Sequence, residues 1–105
     1  MTISREVKEG VQPQGIGEQI AYKLSSTPWA STPTVTGVKA YDVTEPDVRI
    51  DVTSTVLSGS SGVVGDQITT PIVKSLTVDR VYWIEITFTS GGLTFVPYFI
   101  VRGEY

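Results

Sequence analysis

Eleven Asp or Glu side chains, eight Lys or Arg, and neither histidine nor cysteine make up the reactive inventory of this 105-residue chain. Without the last two, disulfides, Cys- or His-ligated zinc, His-ligated haem and His- or Cys-based catalysis are excluded by arithmetic. Four acids, Asp42, Glu45, Asp47 and Asp51, gather around one turn, "YDVTEPD". A hard cation needs several oxygens converging on one point. This turn lacks the spacing and the glycine of a calcium loop, so the reading taken is a solvated acidic turn. A cation on Asp42, Glu45 and Asp47 stays open. Paired carboxylates can hydrolyse glycosides, but no two acids here are set in apolar surroundings. With no histidine, serine chemistry reduces to a Ser–Lys pair, and neither Lys39 nor Lys74 stands in such a motif. "SGSSGVVG" (58–65) lacks the Lys-Ser/Thr ending and following helix of a phosphate loop. The chain is expected to be no enzyme and to need no cofactor or metal.

Recognition chemistry is better represented. Trp29 lies in "TPWASTP" (27–33), a proline-bracketed loop, where an indole serves either as a ligand platform or as a lid over one end of the core. Trp83 follows Tyr82 in an alternating run, so it faces away from the main core. With Val81, and with Phe95, Tyr98 or Phe99 according to which share its side, it predicts an apolar outer patch suited to protein contact. Trp83, Val81 and Phe95 are the candidate interface.

The elements that hold these residues read as strands. Apolar residues make up 40% of the chain and charged residues 18%, which suits one well-buried domain. "GEQIAYKLSS" (17–26), "DVRIDVT" (47–53) and "RVYWIEITFTS" (80–90) alternate with a period of two. The second of these would turn Val48, Ile50 and Val52 inward. "TVTGVKAYDVT" (34–44) changes phase at Gly37, as at a bulge. "DQITTPIVKSL" (66–76) carries Pro71, which confines it to an edge or ends it there. "SGG" makes a tight turn into "LTFVPYFIVRG" (93–103). Residues 1–17, rich in Gly, Gln and charge, are read as a flexible N-terminal arm, with residues 18–105 the folded domain. The expected fold is all-β, an Ig-like or fibronectin-like antiparallel β-sandwich of about seven strands. In "LTVDRVY", Leu76 and Tyr82 stand at the interval of a tyrosine corner, where a phenol reaches back to the backbone of the preceding turn.

The net charge of -3, without a basic stripe, argues against a nucleic-acid partner. No apolar run is long enough for a membrane span, and "MTISREVKEGVQPQGIG" has no signal-peptide core, so neither is expected. Location is otherwise open.

Over about residues 18–102, including the stretch from "AYDVTEPD" to "TSGG", the chain resembles small Ig-like structural proteins of bacteriophages and prophages. The likeness is carried by Tyr22, "VLSG" at 56–59, Tyr82 and "TSGG" at 89–92. "LTVDRVY" departs from it, since such domains often carry a glycine before the tyrosine. The resemblance implies a virion component of the tail or neck. Such a protein would act by contact with itself or other structural proteins, in the virion or in host cytoplasm before assembly. The competing expectation is an Ig-like module that binds carbohydrate or cell-surface ligands through Trp29.

Overall fold

The computed structural model describes residues 6–25, 32–45 and 47–105, whose regular structure is β apart from one helical turn. The first strands are β1 (Glu6–Gly15), β2 (Lys23–Ser25), β3 (Thr34–Asp42) and β4 (Ile50–Asp51), followed by the turn α1 (Thr53–Val56). Then come β5 (Leu57–Ser58), β6 (Gly62–Val64), β7 (Gln67–Thr69), β8 (Ile72–Val73), β9 (Val81–Ser90), β10 (Leu93–Phe95) and β11 (Tyr98–Glu104). A large sheet runs in the order β1-β11-β9-β3-β4, with β10 hairpinned to β9. Two smaller sheets, β2-β7-β6 and β5-β8, complete an open, sandwich-like arrangement around one core.

β9 organises that core. Its alternation of β-branched and aromatic residues buries Tyr82, Ile84, Ile86 and Phe88 on one side and leaves Val81, Trp83, Glu85 and Thr87 on the other. Each buried side chain of this size is worth about 1.5–3 kcal/mol in surface removed from water. Ala40, Phe99 and Val101 join them from neighbouring strands, and Leu24, Val56, Ile68, Val73 and Leu76 close the core from across. The hairpin to β10 turns through Gly91 and Gly92, with φ of 59° and 80°. Two consecutive positive φ values match strand twist and are cheap only for glycine. In β3 the register shifts between Val35 and Gly37, so the extra residue lets Val35, Val38 and Ala40 all face inward.

Three expectations need correction. The supposed arm is a strand: residues 6–15 pair with β11, and in parallel, so the large sheet is mixed and not purely antiparallel. Gln14 explains how so polar a segment docks. Its buried amide donates to the carbonyls of Val73 (2.7 Å) and Glu18 (3.1 Å), and its Oε1 accepts from the Tyr22 hydroxyl (2.7 Å). Burial, aided by the nearby charge of Glu18, pushes the Tyr22 phenol up to about 12. Second, Val48 and Ile50 are exposed, and only Val52 packs on the core. The ladder with β3 ends after two pairs because the Thr53 hydroxyl takes over the Ala40 N–H (3.0 Å) and α1 begins. Third, the segment 66–76 does end a strand at Pro71, dividing into β7 and β8, but Ile68, Thr70 and Ile72 do not share one side as its alternation implies: the phase reverses, leaving Ile72 exposed and Val73 buried. Proline has no N–H for the ladder. Thr70, just before it, makes the cross-strand pair: its N–H donates to the Tyr22 carbonyl (2.8 Å) and its hydroxyl accepts from the Tyr22 N–H (3.0 Å).

Candidate functional site

The outer face of the large sheet follows from the pairing that builds its core. Tyr41 of β3 lies opposite Trp83 of β9, Trp83 opposite Ile100 of β11, and Ile100 opposite Val11 of β1. Residues in register share a side, so an apolar row crosses four strands. Tyr98, one step along β11, stacks on the indole of Trp83 with centroids 3.9 Å apart and planes at 17°. Val11 is 50% exposed at the end of the row.

The segment that follows β3 folds over one end of this row. Arg49 places its guanidinium 4.1 Å over the Tyr41 ring and 5.3 Å from the centre of Trp83, with Nη2 3.6 Å from a Glu85 carboxylate oxygen. Guanidinium over an aromatic face contributes about 0.5–1 kcal/mol at an exposed site, and the ion pair less than that. Val43, Val48, Trp83 and Ile100 line an open groove of about 440 Å³ beside it, rimmed by Glu45, Asp47 and Arg49. An aromatic floor with a few charges at the edge is the make-up of a contact surface, with a desolvated centre and a polar rim.

The proposed residues divide between the two faces. Trp83 and Val81 lie on the outer face of β9, both half-buried. Phe95 does not join them. It sits opposite Phe88 with stacked rings 5.3 Å apart and packs on the core. The hairpin keeps one register through Pro97, so the odd residues 95, 97 and 99 all face inward, and Tyr98 is the member of that strand beside Trp83. Leu76 and Tyr82 are buried, and the Tyr82 hydroxyl accepts from the Thr77 N–H at 2.9 Å. Trp29 lies outside the described residues.

The acidic turn is tied up internally. The Asp42 carboxylate accepts from the Thr44 hydroxyl (2.7 Å), the Thr44 N–H (3.0 Å) and Arg80 Nε (2.9 Å). Arg80 also lies 3.6 Å from Glu45, and Asp51 accepts from the Thr53 N–H at 3.0 Å. Among the described residues no three acidic side chains converge as a metal site would require. Burial pushes the Asp42 carboxyl up, but the Thr44 and Arg80 hydrogen bonds outweigh it and hold it below its usual value. A carboxyl lowered on folding adds stability above its unfolded pKa of about 3.9, and that stability is lost as pH falls through the folded value. Melting temperature measured against pH should therefore drop below about pH 4. Asp42→Asn should start lower at neutral pH and show a shallower acid limb; an unchanged limb would remove Asp42 from the account.

Tyr41 and Arg49 were not singled out in the sequence. Tyr41 had a readable signal, since it follows the inward Ala40 and must point outward. Arg49 had none, because its contact depends on how a loop folds back. No family model, curated protein or solved structure matches the chain.

Proposed function

We propose that this protein works by contact and not by chemistry, as a structural or assembly component whose outer sheet face packs against copies of itself or neighbouring structural proteins. The observation that carries this reading is the aromatic and aliphatic row Tyr41, Trp83, Ile100 and Val11, with Tyr98 stacked beside it. A row of this kind on a sheet face, centred on a tryptophan, has the composition of a binding hot spot. The strand orders β11-β9-β3-β4 and β2-β7-β6, together with the Tyr82 corner, support an immunoglobulin-like assignment of the sandwich. The resemblance to phage structural domains directs the search for partners to virion tail or neck proteins. The competing carbohydrate-binding module rests on Trp29. Trp83 does not serve it, because Tyr98 and Arg49 already engage its ring.

Sedimentation over a wide concentration range tests the proposal. Self-association is expected, weakened about 30-fold or more by Trp83→Ser, as for the loss of a central hot-spot residue. A strict monomer whose solubility and assembly are unaffected by Trp83→Ser would overturn it.

A further inference from the structure

We infer that β1 is an exchangeable strand, and that a second copy of this chain can supply residues 6–15 to the edge of β11. This goes beyond the outer-face reading and holds whether or not that face is an interface. Three observations point to it. β1 joins the sheet through backbone pairing, with Val11 to Gly15 running parallel to Ile100 to Glu104. Of its described side chains, Val11 to Gly15, only Gln14 is buried, and none of these five belongs to the hydrophobic core. Gln14 in turn is held by the Val73 carbonyl, the Glu18 carbonyl and the Tyr22 hydroxyl, all outside the strand. A second copy's Gln14 would meet the same Val73 carbonyl and Tyr22 hydroxyl, and its backbone the same ladder, while its bond to the Glu18 carbonyl belongs to the turn that opens. Outside that turn, docked contacts are thus equal in the closed and exchanged forms.

What differs is the hinge. β1 turns into the rest of the fold at Gly15 to Glu18, where the Glu18 N–H donates to the Gly15 carbonyl (2.9 Å) and the Gly15 N–H to Glu18 Oε1 (2.6 Å). Beside them, Gly17 stands in open space. Exchange requires straightening one small turn beyond Ile16, whose N–H donates to the Glu104 carbonyl (2.6 Å) and whose side chain packs on the core with the docked strand. Exchange of an identical element is a low-cost route to association. It competes with self-docking once neighbouring copies approach the effective concentration of the strand's own tether, on the order of 1 mM.

The absence of native cysteine makes the test direct. Gln12 and Val101 are register partners, and Val101 is fully buried, so contact between outer faces cannot join cysteines placed there. A Gln12→Cys chain and a Val101→Cys chain, tagged to differ in mass, are mixed at high concentration and oxidised. The expected result is a disulfide-linked heterodimer that grows with concentration and exceeds a Gln12→Cys plus Leu93→Cys control roughly fivefold or more. The double variant on one chain, when dilute, should close its disulfide internally. A cross-chain yield no greater than the control at any concentration would overturn the exchange, whatever the double variant does.

Discussion

Gly103→Ala is expected to destabilise the protein by about 3 kcal/mol, lowering the melting temperature by roughly 15–20 °C. Gly103 is the last inward-facing residue of β11, beneath the turn that leads into Tyr82. A Cβ there would overlap the Thr77 carbonyl oxygen and crowd Leu76 Cβ, 3.3 Å away. Relief by moving β11 stretches two backbone bonds, Gly103 N–H to Arg80 (3.0 Å) and Asp79 N–H to Gly103 (2.9 Å). Relief by moving the turn pulls the Thr77 N–H off the Tyr82 hydroxyl. Either way a backbone contact gives, where a flexible side chain would have moved at little cost. Gly62→Ala is the control, because nothing lies within 4 Å of its Cβ position and its φ is ordinary. Denaturant unfolding should separate the two variants clearly; a Gly103→Ala protein within about 1 kcal/mol of the parent would show that the corner yields.

The second large effect is expected at Gln14. Gln14→Ala removes two donors and an acceptor from a site 1% exposed, leaving the Val73 and Glu18 carbonyls and the Tyr22 hydroxyl to find new partners. Buried groups stripped of partners cost about 1–3 kcal/mol each when water cannot reach them, so a loss of about 2–4 kcal/mol is expected. A double-mutant cycle checks the cause. Tyr22→Phe should weaken the parent, yet add little to Gln14→Ala, because the two side chains share one hydrogen bond. Additive effects, or a Gln14→Ala loss below about 0.5 kcal/mol, would contradict this account.

Gln14 also marks the limit of what could be read from the sequence. β9 was legible because from Ile84 to Thr89 apolar residues inside alternate with polar ones outside, which fixes the phase of Tyr82 and Trp83 as well, and the two glycines after Ser90 name their turn. The Leu76–Tyr82 corner was legible because both partners lie within one turn. β1 shows no such contrast. Its pairing comes from backbone groups that every residue carries, and the one buried side chain among its described residues 11–15 is an amide whose partners lie as far away as Val73. Phe95 was misplaced for a different reason. A proline in "FVPYF" implies either a bulge or an outward-facing edge position, but the register passes through Pro97 unchanged and it faces inward, with the Ile86 N–H donating to its carbonyl at 2.9 Å. The outer patch was therefore half legible. Trp83 was visible from β9 alone, whereas the covering Arg49 depends on how residues after β3 fold back.

The parallel pairing of the earliest and latest described strands also determines how the fold responds to tension. Glu6 lies beside Tyr98, and Gly15 beside Glu104. Pulling at Glu6 and Glu104 in opposite directions therefore drags the two strands lengthwise past each other. The rungs from Val11 to Gly15 are strained together and fail together. In a hairpin pulled at its two adjacent ends, the rungs would instead open in succession, each at small force. A domain strung between neighbours through these two residues would resist stretching far better than its equilibrium stability alone suggests, because forced rupture is governed by the barrier to unfolding.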